Sequence, residues 1–433
     1  MIAVASLLPH KRKNRYNPND RRRLLDDLDE ATKGYVVCIA HVSGHLAVCN
    51  SEGLKSIGYT QDTQNPPGGI IRRDQNGKLN GILEESATYP LMAHMTVDPA
   101  EIPERFQQVQ EMFMSYGVTT AQEGLATKTS LGMMQHLSAQ NLITIDILAY
   151  AKWLDFEELM ESETIKLGEY QNNLKLAGMK IVSDGSPQGK TAYLSNPYFE
   201  IPHSHAFHYH GYPVMTQDEF NHYTALAFEN DAQVLTHANG DAAMGMLLEA
   251  VDYAIEKHGD RDHRTTIIHG QTMRLDQVQK AAEYSMIGSY FPAHTFFWGD
   301  YHRDSVLGPW RASNISPMGW AKEFGLPFTI HMDAPVAFPD QMLNMWTAVN
   351  RTTRDGDVLG EYHKITPYEA LEAITITAAY QNYEEAEKGS IEVGKNADLV
   401  ILEANPMNVD PMTIKDIKVL ETIKDGNTIF ELK

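Results

Sequence analysis

A chain of 433 residues, 42% hydrophobic and 21% charged, has ordinary globular composition and is long enough to bury a large core. Its formal net charge of −21 excludes nucleic acid as the natural partner. No apolar run approaches the length needed to cross a bilayer, so the reading is a protein without membrane spans.

The opening "MIAVASLLPHKRK" lacks the basic start of a secretory signal, and the basic stretch "HKRKNRYNPNDRRR" reads as a solvated tail or exposed helix start. Cys38 and Cys49 are too few for a disulfide framework or a four-thiolate zinc site, so a reduced, cytoplasmic setting is expected. Residues 33–90 read as β. "YVVCIAHV" is apolar and β-branched, and Asn76-Gly77 sits between two strand-like runs as a hairpin turn. After residue 100 the pattern changes. "PERFQQVQEMFMSYG" spaces Phe106, Val109 and Phe113 for a helix that stops at Gly117.

From Val118 on, strand-like runs alternate with helical stretches. The runs are "VTTAQEG", "ITIDILAY", "GMKIVSDG", "AQVLTHANG", "TTIIHGQ", "MIGSYFPAH" and "PFTIHMDAP". Such alternation predicts a parallel sheet, and seven strands are one short of a (β/α)8 barrel. The last part is β again, with a hairpin turn at Asp425-Gly426. The expected organisation is an N-terminal segment with a β-rich insertion (1–95), a (β/α) barrel (96–385) and a C-terminal β-sandwich part (386–433).

"MKIVSDGSPQGKTAYL" has the look of a phosphate-binding loop, but it does not fit one. Gly185 and Gly189 are one residue too close, Asp184 would repel a phosphate, and Pro197 and Pro202 forbid a long helix just after the lysine. The residue left to explain is Lys180, a lysine inside an apolar strand, because an uncompensated buried charge is costly. Its plain structural reading is an ammonium that reaches solvent from an edge strand.

His237, His269 and Asp333 also end strand-like runs. In a β/α barrel the C-terminal strand ends meet at one mouth, so residues distant in sequence converge there. Two imidazoles and a carboxylate suit zinc or a similar divalent ion. Such an ion would activate water near neutral pH, with Asp333 placed to move the proton. A lone strand-end histidine is more often a satisfied core or rim residue, and it is the four such residues on four strands that carry the metal reading. "HSHAFHYHGY", with His203, His205, His208 and His210, has no strand frame and reads as adventitious. "HVSGH", His41 to His45, reads as a turn at the pocket mouth or a structural hydrogen-bonding site. "FPAHTFFWGD" brings His294, Phe297 and Trp298, which suit a pocket wall or ordinary rim packing.

Together "HVSGHLAVCNSEGL", "NPPGGIIRRDQNGKLNGILEE", "KIVSDGSPQGKTAYL", "LTHANGDAAM", "IIHGQ", "HMDAPV" and "KGSIEVGKNADLVIL" resemble the amidohydrolase superfamily. The resemblance is to its family 3 branch, which includes N-substituted formamide deformylase-like and D-aminoacylase-like enzymes. It implies a metal-dependent (β/α)8 barrel beside a small β-sandwich. It also implies hydrolysis of an amide-like, non-peptide C–N bond in a small-molecule substrate. It further implies Lys180 as a carboxylated lysine bridging two metals, with zinc as the expected ion. His237, His269 and Asp333 are implied as ligands, Asp333 also as the catalytic acid/base, and His45, Asp184, His294 and Trp298 as pocket residues.

One departure shapes the expectation. The family carries a His-x-His pair on its first barrel strand, whereas here such pairs occur only at 203–205 and 208–210. The chain is therefore expected to lack that strand and the N-terminal half of the sandwich, and to hold one or two ions, a single ion on His237, His269 and Asp333 being the fallback to a full binuclear centre. The alternative is a catalytically impaired remnant acting as a binding or regulatory protein. An open barrel edge favours association, so a homo-oligomer is expected.

Overall fold

A computed structural model of the protein describes residues 2–4, 24–41, 43–74, 76–92, 97–162, 165–202 and 208–433. The basic stretch near the start, His203 and His205 lie outside the described residues. Three sheets organise the chain. The first joins β1 (Ile2–Val4), β2 (Cys38–Ala40), β3 (Leu46–Cys49), β4 (Gly69–Arg73) and β5 (Leu79–Glu85) in the order β1-β2-β3-β5-β4. β4 and β5 are antiparallel around Gly77, as the Asn-Gly signal predicts. β2 and β3 are antiparallel around the "HVSGH" segment, so Cys38 faces Cys49 directly. The two cysteines form a disulfide with Cα atoms 4.0 Å apart, where the sequence suggested a reduced pair. The reason is register: two cysteines equidistant from a hairpin turn must meet across the ladder. This sheet has its own core around Leu54, Ile71, Leu83 and Ala87.

The second sheet carries the seven predicted strands. They are β6 (Thr120–Ala126), β7 (Asp146–Lys152), β9 (Leu174–Val182), β10 (Gln233–Ala238), β11 (Thr266–His269), β12 (Ile287–Tyr290) and β13 (Phe328–Ile330). All pair in parallel in the order β13-β12-β11-β10-β9-β7-β6, with the short β8 (Tyr170–Gln171) antiparallel to β9. Among the described residues β6 and β13 are the two edges of this curled sheet and do not pair with each other.

The period of two decides which side chain faces where. On β7, Ile147, Ala149 and Ala151 join the main core under the helices. Leu148 and Tyr150 turn the other way and meet Leu235 and Ile268 inside the curl. On β9 a register shift falls at Gly178, where a Cβ would collide with the Gln233 carbonyl. Past that irregularity Met179 and Ile181 still pack outward, which leaves Lys180 facing inward. Lys180 is thus in a central strand, with β7 on one side and β10 on the other, and the edge-strand reading of it does not apply.

The third sheet, β14 (Leu399–Leu402), β15 (Val419–Lys424) and β16 (Asn427–Glu431), is an antiparallel meander whose last turn has Asp425 and Gly426 both at positive φ. A buried charge network fastens it beneath the parallel sheet. Lys388 Nζ donates to Asp146 (2.6 Å), Glu384 (3.0 Å) and Tyr170 (3.1 Å), while Lys424 reaches Asp146 (3.1 Å). Lys175 also pairs with Glu384. These charges sit at the starts of β7 and β9, opposite the end where the histidines gather. Removing one partner strands buried charges. Lys388→Met should therefore lower unfolding stability by about 3–5 kcal/mol in urea titration, with the strand-end histidines untouched.

Candidate metal centre

His269, His331 and Asp333 each present a ligand atom, and these atoms lie within 4.8 Å of one another. All three are placed by strand ends. His269 closes β11 at φ +77°, and Asp333 follows β13 at φ +55°. Both are left-handed conformations that non-glycine residues rarely adopt, and such strain clusters at functional sites. The unusual backbone of His269 breaks the alternation that Ile267 and Ile268 obey, and its ring stands against those of His237 and His331 (centroids 4.7 and 5.0 Å). Its Nδ1 lies 3.1 Å from His331 Nε2, and His331 Nδ1 lies 3.0 Å from the Ser289 hydroxyl.

His331 was not singled out from the sequence. The signal was present in "HMD": residues two apart on an extended segment share a face, so Asp333 implied its neighbour. His237 and Lys180 lie beside the trio rather than within it. His237 Nδ1 is 3.3 Å from the Asp184 carboxylate, and its Nε2 is 3.2 Å from the Asn239 amide nitrogen. Lys180 is buried, and no described residue hydrogen-bonds or ion-pairs with its amine.

Electrostatics divide the site. Burial pulls the pKa values of His237 and His331 down to about 3, and that of His269 well below the ordinary histidine value. Burial likewise lowers Lys180 to about 8, with Asp333 pulling the other way. Burial pushes the Asp333 carboxyl up, opposed by Lys180, His237 and His45. Water still reaches Asp333, which is exposed at the surface of the cleft, so that push is tempered by solvent.

Asp184 is a clasp. Its two oxygens accept the backbone N–H groups of Asn239 (2.9 Å), Gly240 (2.8 Å) and Tyr193 (2.9 Å). Burial raises its pKa to about 7, against the pull of those amides. It thereby fixes the loop after β9 to the end of β10 and stands behind His237. As placed, its oxygens face protein donors instead of a substrate.

The N-terminal sheet lends two more residues. His45, in the β2–β3 hairpin, brings its ring 5.3 Å from that of His237, and its Nδ1 lies 2.7 Å from Glu85 Oε2. Burial works to lower the His45 pKa, but Glu85, with Asp333 and Asp184 beyond it, outweighs that and raises it. Glu85 itself ends β5 at φ +48°, and its Oε1 is buried without a hydrogen-bond partner among the described residues. The sequence reading missed Glu85 because its partner is 40 residues away.

On the opposite wall, His294 and Trp298 pack with Phe291 (centroids 4.8 and 6.4 Å). Trp298 is in a buried apolar cluster with Met332 and Ala337. Lys190, the lysine of "GKT", is buried and donates to the Glu200 carbonyl (2.7 Å), the Ser305 carbonyl (3.1 Å) and the Ser305 hydroxyl (3.0 Å). Its ammonium is held by protein oxygens, which agrees with the rejection of a phosphate loop.

The amidohydrolase family model matches residues 14–430. The chain belongs to the amidohydrolase family. This amidohydrolase is 25% identical to the putative amidohydrolase YtcJ of Bacillus subtilis over 424 residues, covering 94% of this chain and 76% of YtcJ. It is also 25% identical to the N-substituted formamide deformylase of Arthrobacter pascens, over 94% of this chain and 75% of that enzyme. Among solved structures it resembles an uncharacterized metal-dependent hydrolase from Pyrococcus horikoshii, with TM-score 0.70 and 23% identity, over 90% of this chain and 75% of that one. The chain is thus a hydrolase of this superfamily, on a metal-dependent hydrolase fold.

The donor set fits a divalent ion: two imidazoles and a carboxylate are within reach of one another, and the rings are already neutral. His269, His331 and Asp333 would hold it, with His237 and Lys180 adjacent. Neutral ligands predict little proton release on metal binding. Calorimetry of zinc binding at pH 6.0, in two buffers of different ionisation heat, should show less than about one proton per ion, against about three-quarters of a proton from each imidazole, roughly 1.5 for the pair, if their pKa values were the ordinary 6.5 or so. Asp333 and the Lys180 amine are the expected sources of what remains, and Asp333→Asn should reduce it.

Proposed function

We propose that this amidohydrolase hydrolyses a C–N bond of a small N-substituted amide or formamide, using zinc or a similar divalent ion. The observation that carries this reading is the meeting of His269, His331 and Asp333 at the strand ends, beside a lysine with no partner among the described residues. The name of the Arthrobacter relative supports the substrate class.

A bound divalent ion supplies a Lewis acid and makes water acidic enough to attack near neutral pH. The protein's own groups do the rest. The Asp333 carboxylate takes a proton from the attacking water and delivers it to the leaving nitrogen. Its raised pKa suits both halves of that transfer. Asp184 and the Asn239 amide orient His237. The apolar wall of Phe291, Trp298 and Met332 excludes water and accommodates an apolar substituent.

Lys180 supports a further ligand. At its pKa of about 8 a sizeable fraction of the amine is neutral near physiological pH. The neutral nitrogen adds to carbon dioxide, forming an N–C bond and losing one proton to water. The carbamate then replaces a buried cation with an anionic oxygen donor.

The reading is tested on chelator-stripped protein reloaded with zinc, with N-phenylformamide as probe. Aniline release should appear on reloading, and Asp333→Asn and His331→Ala should each lower kcat/KM by roughly 100-fold or more. Less than about a tenth of an ion per chain after reloading, with no aniline released, would favour a non-catalytic binding protein instead.

A further inference from the structure

His294 does not stand alone on the pocket wall. The helix Ala293–Tyr301 runs directly into a π-helical turn, His302–Val306, a distortion that often marks functional sites. The first residue of that turn, His302, is completely buried. Its Nε2 lies 3.1 Å from His294 Nδ1. The two rings are parallel to within 2°, with centroids 5.4 Å apart. That separation exceeds the N–N distance by about two ring radii, so the rings lie edge to edge in one plane. The contact is an in-plane hydrogen bond of near-linear geometry rather than a face-to-face stack.

Two neutral imidazoles joined in this way share one proton between the facing nitrogens, and one ring must donate. The orphan decides which. His302 Nδ1 is buried and has no hydrogen-bond partner among the described residues. A buried N–H without an acceptor is the rarer and costlier arrangement, whereas a bare ring lone pair is tolerated better. The His302 proton therefore belongs on Nε2, from which it donates to His294 Nδ1. His294 must then carry its own proton on Nε2. That nitrogen hydrogen-bonds to no described residue. The Phe291 ring lies near those of His294, His331 and His269 (4.8, 5.3 and 6.4 Å between centroids), so it stands between His294 and the candidate ligands His331 and His269.

We propose that His302 is a positioning residue that holds His294 as the neutral tautomer protonated at Nε2, giving the pocket a fixed hydrogen-bond donor for a substrate carbonyl oxygen. The carbonyl role rests on the hydrolase reading above; the tautomer does not. A neutral donor of this kind polarises a carbonyl without handing over its proton, which leaves proton transfer to Asp333.

The test is two-bond 1H–15N correlation spectroscopy of metal-free protein labelled with 15N-histidine, with His294 and His302 assigned by single replacement. Wild type should show His294 protonated at Nε2 and bare at Nδ1. His302→Gln should keep that pattern, since the amide N–H can replace the donor. His302→Glu should reverse it, since a carboxylate accepts from Nδ1–H. With N-phenylformamide, His302→Glu should lower kcat roughly 10- to 100-fold with KM within about threefold, and His302→Gln should stay near wild type. A wild-type proton on His294 Nδ1 overturns the proposal whether or not either variant folds. An unchanged tautomer in folded His302→Glu overturns it too. If the tautomers behave as expected while N-phenylformamide is not hydrolysed, the hydrolase reading fails and the assignment of His302 stands.

Discussion

A parallel sheet with helices over one face must also fill its other face, because it offers no side to water. Everything at the centre follows from how this chain meets that constraint. Helices cover the outer face, and Leu148, Tyr150, Leu235 and Ile268 fill the middle of the inner one. Toward the C-terminal strand ends the inward residues change to Lys180, His237 and His269. These groups inherit the low-dielectric surroundings that the apolar residues create. Burial strips the imidazoles of their protons and weakens the lysine's hold on its own. The packing of the curled sheet and the protonation of its strand-end groups are thus the same fact.

Local chemistry in the sequence was enough for the strands, the two hairpins and the strand-end residues, because a period of two and an Asn-Gly or Asp-Gly turn need no distant partner. The structure contains all seven parallel strands at their predicted places. What escaped depends on contacts between remote segments. Glu85 acts on His45 from a strand 40 residues on. His302 meets His294 eight residues back, along a helix that ends in a π-turn no helical periodicity announces. The cysteine pair needed the strand register, which composition does not carry.

The glycine-rich loop after β9 shows the opposite error, a local pattern that suggests too much. Its "GKT" imitates a phosphate cradle, yet Lys190 fastens the loop to the segments around Glu200 and Ser305. Asp184, at the other end of the same loop, fastens it to the start of the helix Asp241–His258. A cation and an anion therefore pin the two ends of one loop, and the wall it forms keeps its shape from both sides.

The N-terminal sheet has a core of its own, built on residues such as Leu54 and Leu83, that does not rely on His45 or Glu85. Mutation in the β2–β3 hairpin or at the end of β5 can therefore alter what faces the site while the supporting sheet persists. Selection has here a part of the molecule that it can vary separately from the strands that carry the strand-end histidines. Divergence among relatives should accumulate in that hairpin sooner than at β11 or β13.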